Sequence, residues 1–211
     1  MAKRIKFTRK EIKSPDEFRK SISNIVEFVS DNYIKFVLGG GVIIIIIVVI
    51  FSISIYRERQ DLEANSKFQA AIGHYNAGDT ETALSGFTNI RENYPDCHIS
   101  DVALYYIGLI NFENGKYAEA ILRLNEFSSI ENTDTILKDA ATYTKGVASF
   151  KKGSWQSAID YFSKLDSDES PYGRQAQLLL ALTLEKQGKR GEAEKIYQEI
   201  LTASPANDFT F

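Results

Sequence analysis

The chain has 211 residues, a formal net charge of −3 and a single cysteine, and these properties exclude several classes of protein. One cysteine cannot form a disulfide within the chain. The long C-terminal part is acidic and has no basic cluster, so nucleic-acid binding is not expected. Residues 57–211 are enough for one domain with a hydrophobic core.

Residues 1–35 form a basic segment with nine Lys/Arg against five Asp/Glu, hence a net charge of +4. Ser14, Pro15 and Glu17 are typical of a helix start, because Ser caps the helix and Pro suits its first turn. Apolar residues follow at helical spacing: Phe18, Ile22, Ile25, Val26 and Val29. This pattern predicts an amphipathic helix lying on the inner membrane leaflet. A helix that binds a cytoplasmic partner is the alternative.

Residues 36–56 contain no charged side chain and predict a single transmembrane helix. Twenty-one residues rising about 1.5 Å each span roughly 31 Å, which matches a bilayer core. Residues 57–211 carry 16 Lys/Arg against 23 Asp/Glu, hence −7. Because basic flanks stay in the cytoplasm, the N-terminus is predicted there and residues 57–211 across the membrane. The length of the run favours an uncleaved anchor over a cleaved signal peptide.

Beyond the anchor, four similar stretches begin at Gly78, Gly115, Gly153 and Gly188. Each has Ala at plus five and apolar residues at plus nine and plus twelve. The alanines are Ala83, Ala120, Ala158 and Ala193; the plus-nine residues are Phe87, Leu124, Phe162 and Tyr197; the plus-twelve residues are Ile90, Phe127, Leu165 and Ile200. Another apolar helical pattern precedes each glycine. The sequence therefore predicts four helical hairpins, each turning at its glycine.

The small residues Gly108 and Gly146, seven positions before a turn glycine, are predicted to let paired helices touch. Tyr117 and Trp155 are predicted to fill the gap to the next hairpin. This pattern resembles the tetratricopeptide repeat (TPR), with repeats near 64–97, 101–134, 139–172 and 174–207. The resemblance implies an all-α fold in which a transmembrane helix precedes a TPR-type superhelix. Lys145 departs from it, because an apolar residue is usual there.

In TPR proteins the first helices line a concave surface, so the resemblance implies a protein-binding groove. Its predicted residues are Phe68, Ile72, Tyr75, Val102, Tyr105, Leu109, Phe112, Tyr143, Val147, Phe150 and Leu182. Phe68, Tyr105 and Tyr143 stand where the Lys of a carboxylate clamp would be needed, so no clamp is expected. An apolar extended segment or a partner helix would fit this surface. Packing within the domain is the alternative explanation.

No catalytic arrangement is apparent, and the chain is predicted to be neither an enzyme nor a cofactor-binding protein. His74 is predicted to pack between helices. Cys97 and His98 are adjacent but lack a second ligand pair at zinc spacing, so no metal site is expected.

The layout of a basic segment, an anchor and TPR-like repeats is similar to the ancillary SecYEG translocon subunit family. That resemblance implies an inner-membrane protein with a periplasmic repeat domain. Its expected partners are the translocon, a membrane-bound chaperone or translocating clients. Two alternatives stay open: a scaffold subunit of another envelope complex, or an organelle import receptor with reversed topology. The oligomeric state is not predicted.

Overall fold

The computed structural model describes residues 15–131, 133–165 and 169–203, and the regular elements in this part of the chain are nine α-helices. They are α1 Pro15–Asp31, α2 Tyr33–Asn76, α3 Thr80–Asn93, α4 His98–Glu113, α5 Tyr117–Ser128, α6 Thr135–Lys151, α7 Trp155–Phe162, α8 Gly173–Lys186 and α9 Arg190–Ala203. The all-α prediction is confirmed. The chain divides into two compact units between Tyr56 and Arg57. Ser14, the predicted helix cap, lies outside the described residues.

The first unit contains α1 and the apolar part of α2. The apolar residues Ile25 and Val26 of α1 are both about 60% exposed. Among the described residues, α2 is the one helix long and apolar enough to cross a membrane. Its side chains from Val42 to Ile50 are exposed as well. Apolar helices exposed in this way need an apolar environment.

The second unit contains four helical hairpins in the described part of the chain. Hairpin 1 pairs residues 57–76 of α2 with α3, and hairpins 2, 3 and 4 are α4–α5, α6–α7 and α8–α9. The turn glycines Gly78, Gly115, Gly153 and Gly188 have φ of 80°, 74°, 76° and 89°. Only glycine adopts this left-handed conformation without strain. The predicted hairpins and their turns are confirmed.

The paired helices of hairpins 2 and 3 touch at a glycine, as predicted. A Cβ added at Gly108 would lie 2.6 Å from Cγ of Leu124. A Cβ added at Gly146 would lie 2.5 Å from Cε1 of Phe162. Both distances are far below van der Waals contact, so any larger residue would push the helices apart.

The core lies within and between the hairpins. The plus-nine and plus-twelve residues of hairpins 1–3 are at most 5% exposed, whereas Tyr197 and Ile200 of hairpin 4 are half-buried. Neighbouring hairpins pack through α3 on α4, α5 on α6 and α7 on α8. The last hairpin has no following hairpin among the described residues, which accounts for its more exposed residues.

Tyr117 and Trp155 contact aromatic residues of their own hairpins. The ring of Tyr117 packs 5.8 Å from Phe112, and the ring of Trp155 packs 5.3 Å from Phe150. Both contacts lie across the glycine turn of the hairpin and stabilise it. Tyr117 also lines a cavity with Lys152 of hairpin 3, and the role of the two residues between hairpins stays a prediction.

Candidate functional site

The first helices of the hairpins lie side by side, because α4 contacts α6 and α6 contacts α8. We call the surface formed by residues 57–76, α4, α6 and α8 the first-helix face. Of the predicted groove residues, Phe68 and Tyr105 are 7% and 9% exposed and pack in the core. The others are half-buried: Ile72, Tyr75, Val102, Leu109, Phe112, Tyr143, Val147, Phe150 and Leu182. Their role in binding stays a prediction.

Five tyrosines connect the hairpins along this face, and we call them the tyrosine row: Tyr75, Tyr105, Tyr106, Tyr143 and Tyr172. The rings of Tyr75 and Tyr106 are 5.6 Å apart, and those of Tyr105 and Tyr106 are 5.5 Å apart. Tyr143 stacks on Tyr172 at 5.3 Å. Tyr172 also packs against the core cluster that contains Tyr105. The row thus joins side chains from hairpins 1 to 3 and the start of hairpin 4.

Tyr106 and Tyr172 were not predicted from the sequence. Tyr106 contacts four rings, including Phe87 in a stacked pair at 5.0 Å. It lies about 100° around the helix from Tyr105, on the edge of the predicted groove. Tyr172 directly precedes α8, at the very end of the predicted third repeat. The adjacent pair Tyr105–Tyr106 is the sequence feature from which the role of Tyr106 could have been predicted.

The hydroxyl groups of Tyr75 and Tyr105 are held in their protonated form. The Tyr75 hydroxyl donates a hydrogen bond of 2.5 Å to Oε1 of Glu113. Burial and this carboxylate together raise the pKa of Tyr75. Burial, with Tyr172 close by, raises the pKa of Tyr105 to about 12. Neutral tyrosines offer large apolar rings with a hydrogen-bonding tip, a combination that favours contact with proteins.

A buried lysine lies apart from this face. Lys145 on α6 is 5% exposed, and its Nζ donates to Oγ of Ser128 at 2.8 Å. The amine also lies 5.2 Å from the centre of the Tyr161 ring. Burial, reinforced by the charge of Lys164, lowers the pKa of Lys145 to about 8. The amine remains a cation at neutral pH.

The remaining candidate ligands do not converge. The prediction that His74 packs between helices is wrong, because its side chain is about half exposed and its Nδ1 lies 3.2 Å from Oδ2 of Asp79. His74 lies in the last turn of α2, next to the glycine turn, and one side of its ring is exposed to solvent there. Cys97 is buried, and burial with nearby Asp61 raises the pKa of its thiol to about 11. In residues 15–131, 133–165 and 169–203, no group of three His, Cys, Asp or Glu side chains could hold a metal.

Solved structures share this fold at low sequence identity. MamA from Desulfovibrio magneticus RS-1, from residue 41 to its end, aligns with a TM-score of 0.58 and 19% identity, covering 72% of this chain and 80% of that one. A kinesin light chain with nearly identical TPR-like repeats from Podosopora anserina aligns with a TM-score of 0.54 and 15% identity, covering 68% and 78%. These likenesses show a TPR-like helical repeat. No curated protein matches the chain in sequence.

A protein-family model matches residues 50–210, which include all four hairpins. Its description is "T7SS, ESX-1 secretion system protein EccA1, N-terminal domain". The match covers well over half of the chain and the same region that carries the TPR-like fold. The chain therefore belongs to the family of the ESX-1 secretion system protein EccA1 N-terminal domain, and its repeats have a TPR-like helical fold.

Proposed function

We propose that this chain is a membrane-anchored protein-interaction module whose first-helix face binds a protein partner. The observation that carries the proposal is the tyrosine row, which connects the hairpins and leaves four of its five rings half-buried. Half-buried aromatic rings gain further burial when a partner covers them, at roughly 25 cal/mol per Å² of apolar area. Tyrosine is also enriched among the residues that dominate binding energy at interfaces.

The flanking residues widen this surface. Ile72, Leu109 and Val147 are half-buried on the same helices, so an apolar strip accompanies the tyrosines. A helical or extended partner segment with apolar side chains fits such a strip. Loss of one ring is expected to weaken binding by about 1–2 kcal/mol.

Site-specific photocrosslinking in native membranes tests this proposal. A photoreactive residue at Tyr143 or Phe112 should capture a protein partner. The same residue at Leu201, which is 75% exposed on the second helix of hairpin 4, is the matched control and should capture none. Capture from Leu201 alone would place the interaction away from the first-helix face and contradict the proposal.

The membrane anchor is part of the same proposal, with α2 spanning the inner membrane through residues 36–56. The N-terminal segment at +4 would stay in the cytoplasm and the repeat domain at −7 would lie in the periplasm. The proposal is supported by this charge difference and by the exposed apolar side chains of α2.

Labelling of intact cells with a membrane-impermeant maleimide tests the topology. A cysteine introduced at exposed Lys152 should react once the outer membrane is opened. The unmodified chain is the control, because its Cys97 is 6% exposed and should stay unlabelled. Reaction only after lysis of the inner membrane would reverse the topology and favour the import-receptor alternative.

For the partner we propose the Sec translocon, a membrane-bound chaperone or translocating clients. The support is the layout of a basic segment, an anchor and repeats, which is similar to that of the ancillary translocon subunits. Crosslinks to translocon subunits or to many unfolded clients are the expected result. They would distinguish this role from a fixed structural one.

A second candidate is a scaffold subunit of a secretion complex. The family match favours it, because the model describes a domain of a secretion-system protein. This candidate predicts one constant folded partner in the crosslinking experiment. The same experiment therefore separates the two roles by the number and folding state of the captured proteins.

A further inference from the structure

Lys145 occupies a position that is apolar in every other hairpin. Counting eight residues back from the turn glycine gives Ala70, Ile107, Lys145 and Leu180. Ile107 is 7% exposed and belongs to the core between hairpins 1 and 2. Lys145 is just as buried, at 5%. A lysine in such a position is rare unless a partner group compensates its charge.

The groups around the Lys145 amine come from α5 and from α7 with the residues after it. Ser128 accepts one hydrogen bond from Nζ, and its own hydroxyl donates to the carbonyl oxygen of Leu124 at 2.7 Å. Tyr161 lies between two cations, with Nζ of Lys145 at 5.2 Å and Nζ of Lys164 at 5.5 Å from its ring centre. These contacts solvate the charge in part, but none of them neutralises it.

Acidic side chains on the two helices are engaged elsewhere. Glu126 of α5 pairs with Arg91 and Arg123, and Asp160 of α7 accepts from Gln156 at 2.9 Å. Among the described residues, neither Lys145 nor Lys164 forms an ion pair.

The rim of this site reaches the surface. Of the three N–H groups of Lys145, one donates to Ser128 among the described residues. Asn125 and Lys164 are exposed, and Ser128 and Tyr161 are half-buried. The Tyr161 hydroxyl donates a long hydrogen bond of 3.5 Å to Oδ1 of Asn125. A negatively charged group entering between α5 and α7 would meet two ammonium groups and would compete with Asn125 for the phenol hydroxyl.

We propose that Lys145, Lys164 and Tyr161, with Asn125 and Ser128, form a binding site for a carboxylate side chain of an acidic protein segment. The segment would bind on the second-helix side of hairpins 2 and 3, separate from the first-helix face. A carboxylate would accept hydrogen bonds from both ammonium groups and offset their charge, which no acidic side chain of the described residues does. This site would give the module a second contact and does not depend on the function of the first.

Binding at this site is coupled to protonation. A carboxylate favours the ammonium form of Lys145, so it raises the pKa of that amine from about 8. Below pH 8 the amine is already charged and binding is at its strongest. At pH 9 most free protein carries a neutral amine, so binding there takes up a proton and is weaker. Tyr161 and Lys164 face the amine from the α7 side, whereas α5 presents the uncharged Ser128 and Asn125.

Calorimetric titration of the full chain in detergent micelles tests the proposal. The probe is a blocked tetraglutamate peptide, with tetraglutamine as the neutral peptide control. Tetraglutamate is expected to bind at least tenfold more tightly at pH 7. Lys145→Met should lower that affinity at least tenfold, and Lys164→Met should lower it less. Lys152→Met, at an exposed lysine of the same hairpin, should leave it unchanged.

The proton uptake gives a readout that a purely structural lysine would not produce. Titration at pH 9 in buffers of different ionisation enthalpy should show uptake by the unmodified chain and none by Lys145→Met. Methionine suits the apolar position, so this variant is expected to fold. Equal binding of the two peptides, unchanged affinity of Lys145→Met or absence of proton uptake would each overturn the proposal.

Discussion

Hairpins 2 and 3 share one backbone design and differ in what they bury. In both, a glycine seven residues before the turn contacts the second helix, and an aromatic pair closes the turn. The differences lie at equivalent positions, namely Ile107 against Lys145 and Asn111 against Ser149. At these two positions hairpin 2 has an apolar side chain and an amide, whereas hairpin 3 has an amine and a hydroxyl.

The two polar positions show this contrast directly. Asn111 is 5% exposed and its Nδ2 donates to the carbonyl oxygen of Ile107 at 2.8 Å. Ser149 is 1% exposed, and its Oγ has no hydrogen-bond partner among the described residues. Buried polar groups without partners lower stability. The hydroxyl of Ser100 in hairpin 2 is likewise buried without a partner among the described residues. The buried amine of Lys145 is therefore the reason that hairpin 3 is expected to be the less stable of the two.

The largest expected effect comes from giving hairpin 2 the lysine of hairpin 3. Ile107→Lys buries a charge in an apolar cluster that offers no equivalent of Ser128 and Tyr161. We expect the free energy of unfolding to fall by about 3–5 kcal/mol. Denaturant unfolding of the full chain in micelles, followed by circular dichroism, measures it. A loss below 1 kcal/mol would show that the two hairpins tolerate a buried lysine equally.

Gly146→Ala is expected to be the next most damaging change. Its Cβ would meet the ring of Phe162, which is 1% exposed and has no room to move. We expect a loss of about 2–3 kcal/mol, from overpacking. Gly108→Ala would meet Cγ and Cδ2 of Leu124 at 2.6 and 2.7 Å. Because leucine is smaller than phenylalanine, we expect a smaller loss of about 1–2 kcal/mol.

Gly73→Ala is the control for these two variants. An added Cβ there meets nothing within 4 Å, and alanine favours a helix over glycine by up to about 1 kcal/mol. Thermal unfolding of the three variants should rank them in that order. If Gly108→Ala proved the most damaging of the three, the packing difference between the two hairpins would be refuted.

Lys145→Met should stabilise hairpin 3 in a pH-dependent way. The pKa of about 8 in the folded chain lies below the ordinary lysine value of 10.5, so the folded chain binds the proton less tightly than the unfolded chain. The stability of the unmodified chain therefore rises between pH 8 and pH 10.5. Methionine removes this penalty, so its advantage should reach about 3 kcal/mol below pH 8. The difference between the two unfolding curves should shrink toward zero near pH 10.5.

Lys152→Met provides the comparison for this pH profile, because Lys152 is exposed. Its unfolding curve should follow that of the unmodified chain at every pH. A pH-independent gain from Lys145→Met would attribute its effect to packing alone and would argue against a charge penalty in hairpin 3.

The smallest expected effects come from the two buried polar positions. Ser149→Ala removes an unpartnered hydroxyl and should leave stability unchanged or raise it by up to about 1 kcal/mol. Asn111→Ala removes a satisfied hydrogen bond and should lower stability by about 1 kcal/mol. Opposite signs for the two variants, measured by chemical denaturation, would support the contrast between the hairpins. Equal losses of stability in the two variants would contradict this difference between the hairpins.

The fold could be predicted because its main determinants are local. A turn glycine, an alanine five residues later and apolar residues at helical spacing define each hairpin within about 30 residues. The close approach at Gly108 and Gly146 was predictable for the same reason, since a small residue at a fixed spacing has one structural use in this repeat. Even the anomaly at Lys145 was visible as a departure from the pattern.

The details of the candidate site depended on contacts that periodicity does not specify. Tyr106 lies at the edge of the predicted groove, and Tyr172 lies just before α8. At such positions an error of one residue in the predicted repeat moves a side chain off the first-helix face. The ring that Trp155 contacts, Phe150 of its own hairpin, depends on the direction of its side chain, which repeat spacing does not specify. The environment of Lys145 combines residues from two hairpins, so no single repeat contains the information.

The position of Trp155 makes hairpin 3 visible to spectroscopy. It is the one tryptophan of the chain, is half-buried, and packs edge-on against Phe150 across the glycine turn. Its fluorescence emission should report the conformation of that turn and not an average over the four hairpins. Fluorescence excited near 295 nm, where tyrosines absorb little, would therefore show whether hairpin 3 unfolds before its neighbours.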